Sequence, residues 1–309
     1  PQNTKLRSTG NVEQGQVTIN DINTTADNAS FIGNPYQALV DMNDVITNST
    51  NLKQYFIIWD PTLGGTPTPG LPGGRGAFVT VDATNGDTSI DGGATGNNPD
   101  MIYLQPYQAA FVLTKTDGSA NVVFEESHKS VSESQVQVFS DDEELHYINI
   151  RLFDDNSYSN GATADDGVQF YFSENSTNAF NDLDAPKFNN IDENLATWSE
   201  NTALLSIENR AMPTENDSLQ LYNTQYRDTD YVFELELGNF PDNDVYLYDA
   251  HTDQQILLNE DSVNTYSYSV YPSISSSIAW NRFNIIFETE TFSTSDEEIQ
   301  HQIKLFPNP

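Results

Sequence analysis

The sequence predicts an all-β protein made of two tandem β-sandwiches, Ig-like or jelly-roll-like, and three observations carry that prediction. Short runs of β-branched and aromatic residues recur along the 309-residue chain, clusters of Gly, Asn, Asp and Pro separate them, and helical periodicity is nearly absent. A chain of this length exceeds what one hydrophobic core usually serves, so two domains of about 150 residues are expected.

The strand-like runs fall at 16–19, 30–32, 54–59, 76–81, 109–114 and 122–124, then at 147–152, 168–172, 203–207, 218–222, 231–237, 245–249, 265–270 and 283–289. Fourteen short strands fill two sandwiches. One stretch reads as a helix: residues 35–46 follow a Gly-Asn-Pro turn and can place Ala38, Leu39, Met42 and Ile46 on one face. Residues 61–76 are rich in Pro and Gly and residues 82–100 in Gly, Asn and Asp, compositions that build exposed loops rather than core. An acidic run at 141–144 marks a boundary near 142. The expected organisation is a first sandwich over 1–142, a second and more acidic one over 143–292, and a polar linker with a terminal strand over 293–309.

Charge narrows the partners. Twelve Lys and Arg face 46 Asp and Glu, a net charge of −34. Residues 1–150 hold 18 acids and 6 bases (−12), leaving 28 and 6 (−22) for the rest. Such a field repels phosphate backbones and anionic lipid, so neither nucleic acid nor membrane insertion is expected. The chain has no cysteine, which excludes disulfides, thiolate metal sites and a cysteine nucleophile. No run of about 18 apolar residues is present to span a bilayer.

The motifs of chemistry are sparse. The four histidines, His128, His146, His251 and His301, show no i,i+2 or i,i+4 pairing for zinc, and no serine elbow, phosphate loop or dinucleotide fingerprint occurs. No enzyme is expected. Asp154, Asp155 and Asn156, followed by Asp165 and Asp166, flank a turn between two strand-like runs, an oxygen-rich arrangement suited to Ca2+; the plainer reading is a solvated hairpin turn. Tyr231, Phe233, Tyr246, Tyr248, Tyr266 and Tyr268 alternate along strands and read first as sheet packing. Trp59 and Trp198 lie beside loops and are the weaker candidates for a sugar-stacking platform.

Ile303, Lys304, Leu305, Phe306, Pro307, Asn308 and Pro309 form an apolar strand running into a Pro-Asn-Pro turn. This pattern resembles the opening strand of the C-terminal sorting domain of type IX secretion substrates. Phe31 to Tyr36 (an apolar-Gly-Asn-Pro-Tyr motif) and a Gln-Pro-x-Gln-x-x-Phe-Val element from Gln105 to Val112 resemble segments of large proteins exported by that pathway, with Tyr107 where glycine is more usual. The resemblance implies Leu305, Phe306, Pro307, Asn308 and Pro309 as a sorting signal, the type IX secretion machinery as a partner, and an address outside a Gram-negative cell or on its outer surface. It implies no particular chemistry. Two roles follow as expectations: a non-catalytic surface module for adhesion or assembly with other surface proteins, or a carbohydrate-binding region accompanying a polysaccharide-degrading enzyme.

Overall fold

The computed structural model describes residues 12–60, 63, 76–90, 99–130, 146–199, 203–214, 217–238, 240, 243–260 and 262–289. Strands dominate and the all-β expectation holds. In chain order they are β1 (Val17–Ile19), β2 (Ala29–Gly33), β3 (Leu39–Asp41), β4 (Leu52–Asp60), β5 (Ala77–Asp82), β6 (Tyr103–Leu104), β7 (Ala109–Thr114), β8 (Val122–Phe124) and β9 (Lys129–Ser130). The second half supplies β10 (His146–Asp154), β11 (Asp166–Ser173), β12 (Ala185–Pro186), β13 (Asn194–Ser199), β14 (Ala203–Ala211), β15 (Ser218–Thr224) and β16 (Asp230–Leu237). It ends with β17 (Asn243–Asp249), β18 (Gln254–Leu257), β19 (Asn264–Ser269) and β20 (Phe283–Thr289).

Strands β1 to β9 make three small sheets, of which the largest runs β2-β7-β4-β5. Strands β10 to β20 make one 11-stranded sheet, ordered β18-β17-β20-β15-β13-β14-β11-β10-β16-β19, with β12 added on β14. Alternation decides which way it faces: Ile148, Ile150 and Leu152 on β10, Phe170 and Phe172 on β11, and Phe233 and Leu235 on β16 point into one core, which β15, β17 and β20 close from the far side with Leu221, Leu247 and Ile285. The two halves of the sheet thereby pack on each other in the manner of a sandwich. Tyr231, Phe233 and Tyr268 are buried there as the alternation predicts, whereas Tyr246 and Tyr248 are only half-buried.

The small sheets pack against this large one through buried polar contacts. Tyr171 donates to Asp87 Oδ2 at 2.5 Å, Tyr55 to the Leu183 carbonyl at 2.5 Å, and the Phe78 amide to Asn190 Oδ1 at 2.9 Å. Lys53, 2% exposed, reaches the Asp184 carbonyl at 3.0 Å and Asp27 at 2.7 Å, the pairing a buried ammonium requires.

Two short helices depart from the expected layout. The helix predicted over 35–46 starts seven residues later and is shorter, as α1 (Met42–Asn48), because Asp41 caps it by accepting from the amides of Asn43 and Asp44. Leu39, placed on its face by the sequence reading, is extended instead, in β3, which pairs with β6 and β9. The second, α2 (Asp155–Ser159), sits in the predicted hairpin turn.

Candidate functional site

The site begins with strand register on the outer face of the large sheet. Ala196 lies opposite Tyr222 and Thr197 opposite Leu221, while Gln220 lies opposite Asn284. Leu221 and Ile285 belong to the core, so Trp198, Gln220, Tyr222 and Asn284 take the other face. Trp280 joins them from the loop before β20. The Trp198 and Trp280 ring centroids are 5.8 Å apart, Trp280 and Tyr222 5.8 Å, and Trp198 and Tyr222 6.5 Å.

The Trp280 loop is fixed from beneath. Arg282, 2% exposed, forks onto Asp249 with Nε 2.8 Å from Oδ1 and Nη2 2.7 Å from Oδ2, and its Nη1 donates to the carbonyls of Ser269 at 2.8 Å and Ser277 at 3.0 Å. Tyr266 and the His251 amide complete the Asp249 carboxylate at 2.8 and 2.9 Å. Burial acts to raise that carboxyl, but the Arg282 fork and these two donors outweigh it and hold Asp249 below the ordinary carboxylate range. The Trp280 carbonyl in turn accepts from the Asn223 amide at 3.0 Å. Trp280 itself stays 41% exposed on this rigid support.

Beside the rings lies a cavity of about 530 Å³ lined by Thr197, Trp198, Arg210, Gln220, Trp280 and Asn284, with Ser218, Leu219 and Asn281 completing it. Aromatic faces offer apolar contact to the C–H side of a sugar ring, and the amides and hydroxyls around them hydrogen-bond its rim. Trp198, one of the two ring candidates read from the sequence, is therefore brought together with Trp280 and Tyr222, which sequence reasoning did not single out.

Trp59, the other candidate, is elsewhere. It stands on β4, 38% exposed, with its ring 4.9 Å from that of Phe78. Gly76, at φ +85°, lies so close beneath that a Cβ there would come within 2.2 Å of Trp59 Cζ2. A chain of rings continues across the β2-β7-β4-β5 sheet: Phe78 to Phe188 at 5.8 Å, Phe188 to Phe111 at 5.2 Å, and Phe111 to Phe31 at 4.8 Å, with Phe31 67% exposed.

The five residues expected to hold Ca2+ separate. Asp154 caps α2, accepting from the amide and hydroxyl of Ser157 at 2.9 and 2.5 Å. Asp165 accepts from the Asp154 amide at 2.6 Å and faces Arg227 at 3.6 Å. Asp166, fully buried, is engaged by Lys187 Nζ at 2.6 and 2.5 Å and by the amides of Leu195 and Gly167 at 2.7 and 2.9 Å. Asp155 and Asn156 are exposed on α2. Three of the five thus satisfy the protein itself, and among the described residues no three His, Asp or Glu side chains form a metal cluster. The residues read as a sorting signal, Leu305, Phe306, Pro307, Asn308 and Pro309, lie outside the described residues.

A second cavity, of about 470 Å³, is lined by Asp155, Asp230, His251, Tyr266 and Tyr271 among others. His251 Nδ1 is 2.9 Å from Ser276 Oγ, but the neighbouring carboxylate, Asp249, is held by Arg282. Among the described residues no helix is long and apolar enough to cross a membrane. Comparison with protein-family models gave no match, and comparisons with curated proteins and with solved structures gave none either.

Proposed function

We propose that this chain is a non-catalytic module of an exported protein that attaches to glycan through the Trp198–Tyr222–Trp280 face. The observation that carries the reading is the placement of two rings, Trp198 and Trp280, backed by Tyr222, against a cavity whose remaining lining among the described residues is amide, hydroxyl, one guanidinium and Leu219. Export by type IX secretion and display outside a Gram-negative cell belong to the same proposal and rest on the resemblance at residues 303–309.

Affinity electrophoresis through gels containing soluble polysaccharides tests the binding. The intact chain is expected to be retarded by at least one polysaccharide, and Trp280→Ala and Trp198→Ala to run freely while keeping the native circular dichroism. Retardation unchanged in both variants would sink the assignment of the face.

A second reading, assembly with other surface proteins, is favoured by the Trp59–Phe78–Phe188–Phe111–Phe31 ladder, whose exposed end at Phe31 is apolar.

A further inference from the structure

We infer that the ligand of the Trp198–Trp280 cavity is a short segment of neutral glycan, not an acidic glycan and not the flat surface of an insoluble polymer. The inference rests on the glycan-binding reading above and sharpens it.

Charge is the first argument. Among the described residues Arg210 is the single formally charged side chain in the lining. Its Nη1 lies 2.7 Å from Glu208 Oε1, which also accepts from Ser199 Oγ at 2.6 Å, and Glu208 is only 2% exposed. An acid out of a ligand's reach therefore balances the guanidinium from beneath, and the cavity presents no net charge. Two other cavities differ: one has Asp155 and Asp230 in its lining, the other Asp165, Asp192 and Glu193. With no carboxylate among the described residues of its wall, the Trp198 cavity offers none of them to hold a hard cation that would bridge to an acidic sugar. Around it stands a chain of net charge −34, which repels an approaching polyanion.

The polar groups left in the wall suit hydroxyls. Asn281 and Asn284 each carry a donor and an acceptor in one plane, matching neighbouring sugar hydroxyls that both give and receive hydrogen bonds. Gln220 spends its Nε2 on the carbonyls of Leu221 at 3.0 Å and Phe283 at 2.9 Å, so its Oε1 is the atom left to accept.

Shape supplies the second argument. The three rings sit within 6.5 Å of one another and are inclined at 28°, 40° and 59°. Trp198 and Trp280, with Tyr222 packed against both, wall one corner instead of forming a flat row. A volume of about 530 Å³ falls within the range of small-molecule sites, roughly 300–1,000 Å³. Such a corner holds a segment of chain, whereas a polymer surface needs coplanar rings spread along a face.

Calorimetric titration of the intact chain decides it, with soluble manno-, laminari- and cello-oligosaccharides as neutral probes, oligogalacturonate as the carboxylate probe, sulfated carrageenan oligosaccharides as the sulfate probe, and methyl-esterified oligogalacturonate as the matched control. At least one neutral oligosaccharide is expected to bind, at least tenfold more tightly than either acidic probe, with an affinity insensitive to NaCl and lost in Trp280→Ala. Tighter binding of oligogalacturonate than of its methyl ester, or of the sulfated probe, weakened by NaCl and by Arg210→Gln, would overturn the neutral class and leave the glycan face standing. Sedimentation with insoluble polysaccharide that soluble oligosaccharides do not compete would overturn the segment geometry alone. Binding of no saccharide, or binding indifferent to Trp280→Ala and Trp198→Ala, would remove the glycan reading and this inference with it.

Discussion

The chain shows aromatic rings to solvent on two sheets, and the company those rings keep differs. On the β2-β7-β4-β5 sheet, Trp59 packs on Phe78 and Phe31 on Phe111 across neighbouring strands, the kind of cross-strand contact that stabilises a sheet, and Phe188, from the segment between β12 and β13, covers Phe78 and Phe111. On the large sheet, Trp198 and Trp280, packed against Tyr222, stand beside Arg210, Gln220 and Asn284 over a cavity. The difference teaches that an exposed tryptophan is not by itself a site. Trp59 has a glycine and a phenylalanine against it, extends an apolar ladder and borders an acidic crevice of about 30 Å³ beside Asp165, Asp192 and Glu193, whereas Trp280 borders a cavity of about 530 Å³ lined by amides and hydroxyls and has a buried ion pair holding its loop.

The largest expected effect separates the two surfaces through that ion pair. Arg282→Met leaves Asp249 buried without its partner, a defect that costs about 3–5 kcal/mol. Urea denaturation should show that loss together with abolished glycan binding, and the conservative Arg282→Lys should recover part of each. A change below about 1 kcal/mol would mean that the Trp280 loop stands without the pair.

The supports of the two surfaces also titrate in opposite senses. Between the small sheets and the large one, burial raises Asp87 against the hydrogen bonds of Tyr171 and Asn85, raises Asp82 against Thr84, and raises Asp184 against the amides of Asn209 and Asn181. A carboxyl that holds its proton more tightly when folded contributes stability fully present below the ordinary carboxylate range, near pH 4, and lost as pH rises through its raised value. Asp249, held low, contributes the reverse: stability present above the ordinary range and lost as pH falls through its lowered value. The urea midpoint is therefore expected to be higher at pH 5 than at pH 7.5, with Asp87→Asn shrinking the gap. Glycan binding should fail only below pH 4. A midpoint that climbs steadily from pH 5 to 7.5 would contradict the assignment of the interface acids.

The smallest effect concerns the turn between β10 and β11. Because Asp154, Asp165 and Asp166 already have protein partners, excess chelator is expected to leave the melting temperature unchanged to within about 1 °C. A clear fall would return Ca2+ to that turn.

Much of the fold was legible in the sequence, since each of the fourteen predicted runs coincides with an observed strand. Alternating or continuous β-branched and aromatic residues marked them. β13 escaped notice although it is central: Asn194-Leu-Ala-Thr-Trp-Ser has few β-branched residues, and its place is set by pairing with β14 and β15. Trp198 could thus be suspected as a ring near a loop, but its neighbours Tyr222 and Trp280 are brought in by register and by the Arg282 anchor, which no local pattern records. The partners of the acidic turn were hidden for a related reason. Carboxylates close in sequence suggested one shared cation, yet strand register turns Asp166 inward to Lys187, 21 residues away.

The chain has three tryptophans, Trp59 on the apolar ladder and Trp198 and Trp280 at the cavity, so intrinsic fluorescence tests the central claim most directly. Titrating a bound oligosaccharide into Trp59→Phe should give the same saturable change in emission as the unmodified chain, while Trp198→Phe and Trp280→Phe should each diminish it. A change that disappears in Trp59→Phe and persists in the other two would place the ligand on the wrong sheet and contradict the account.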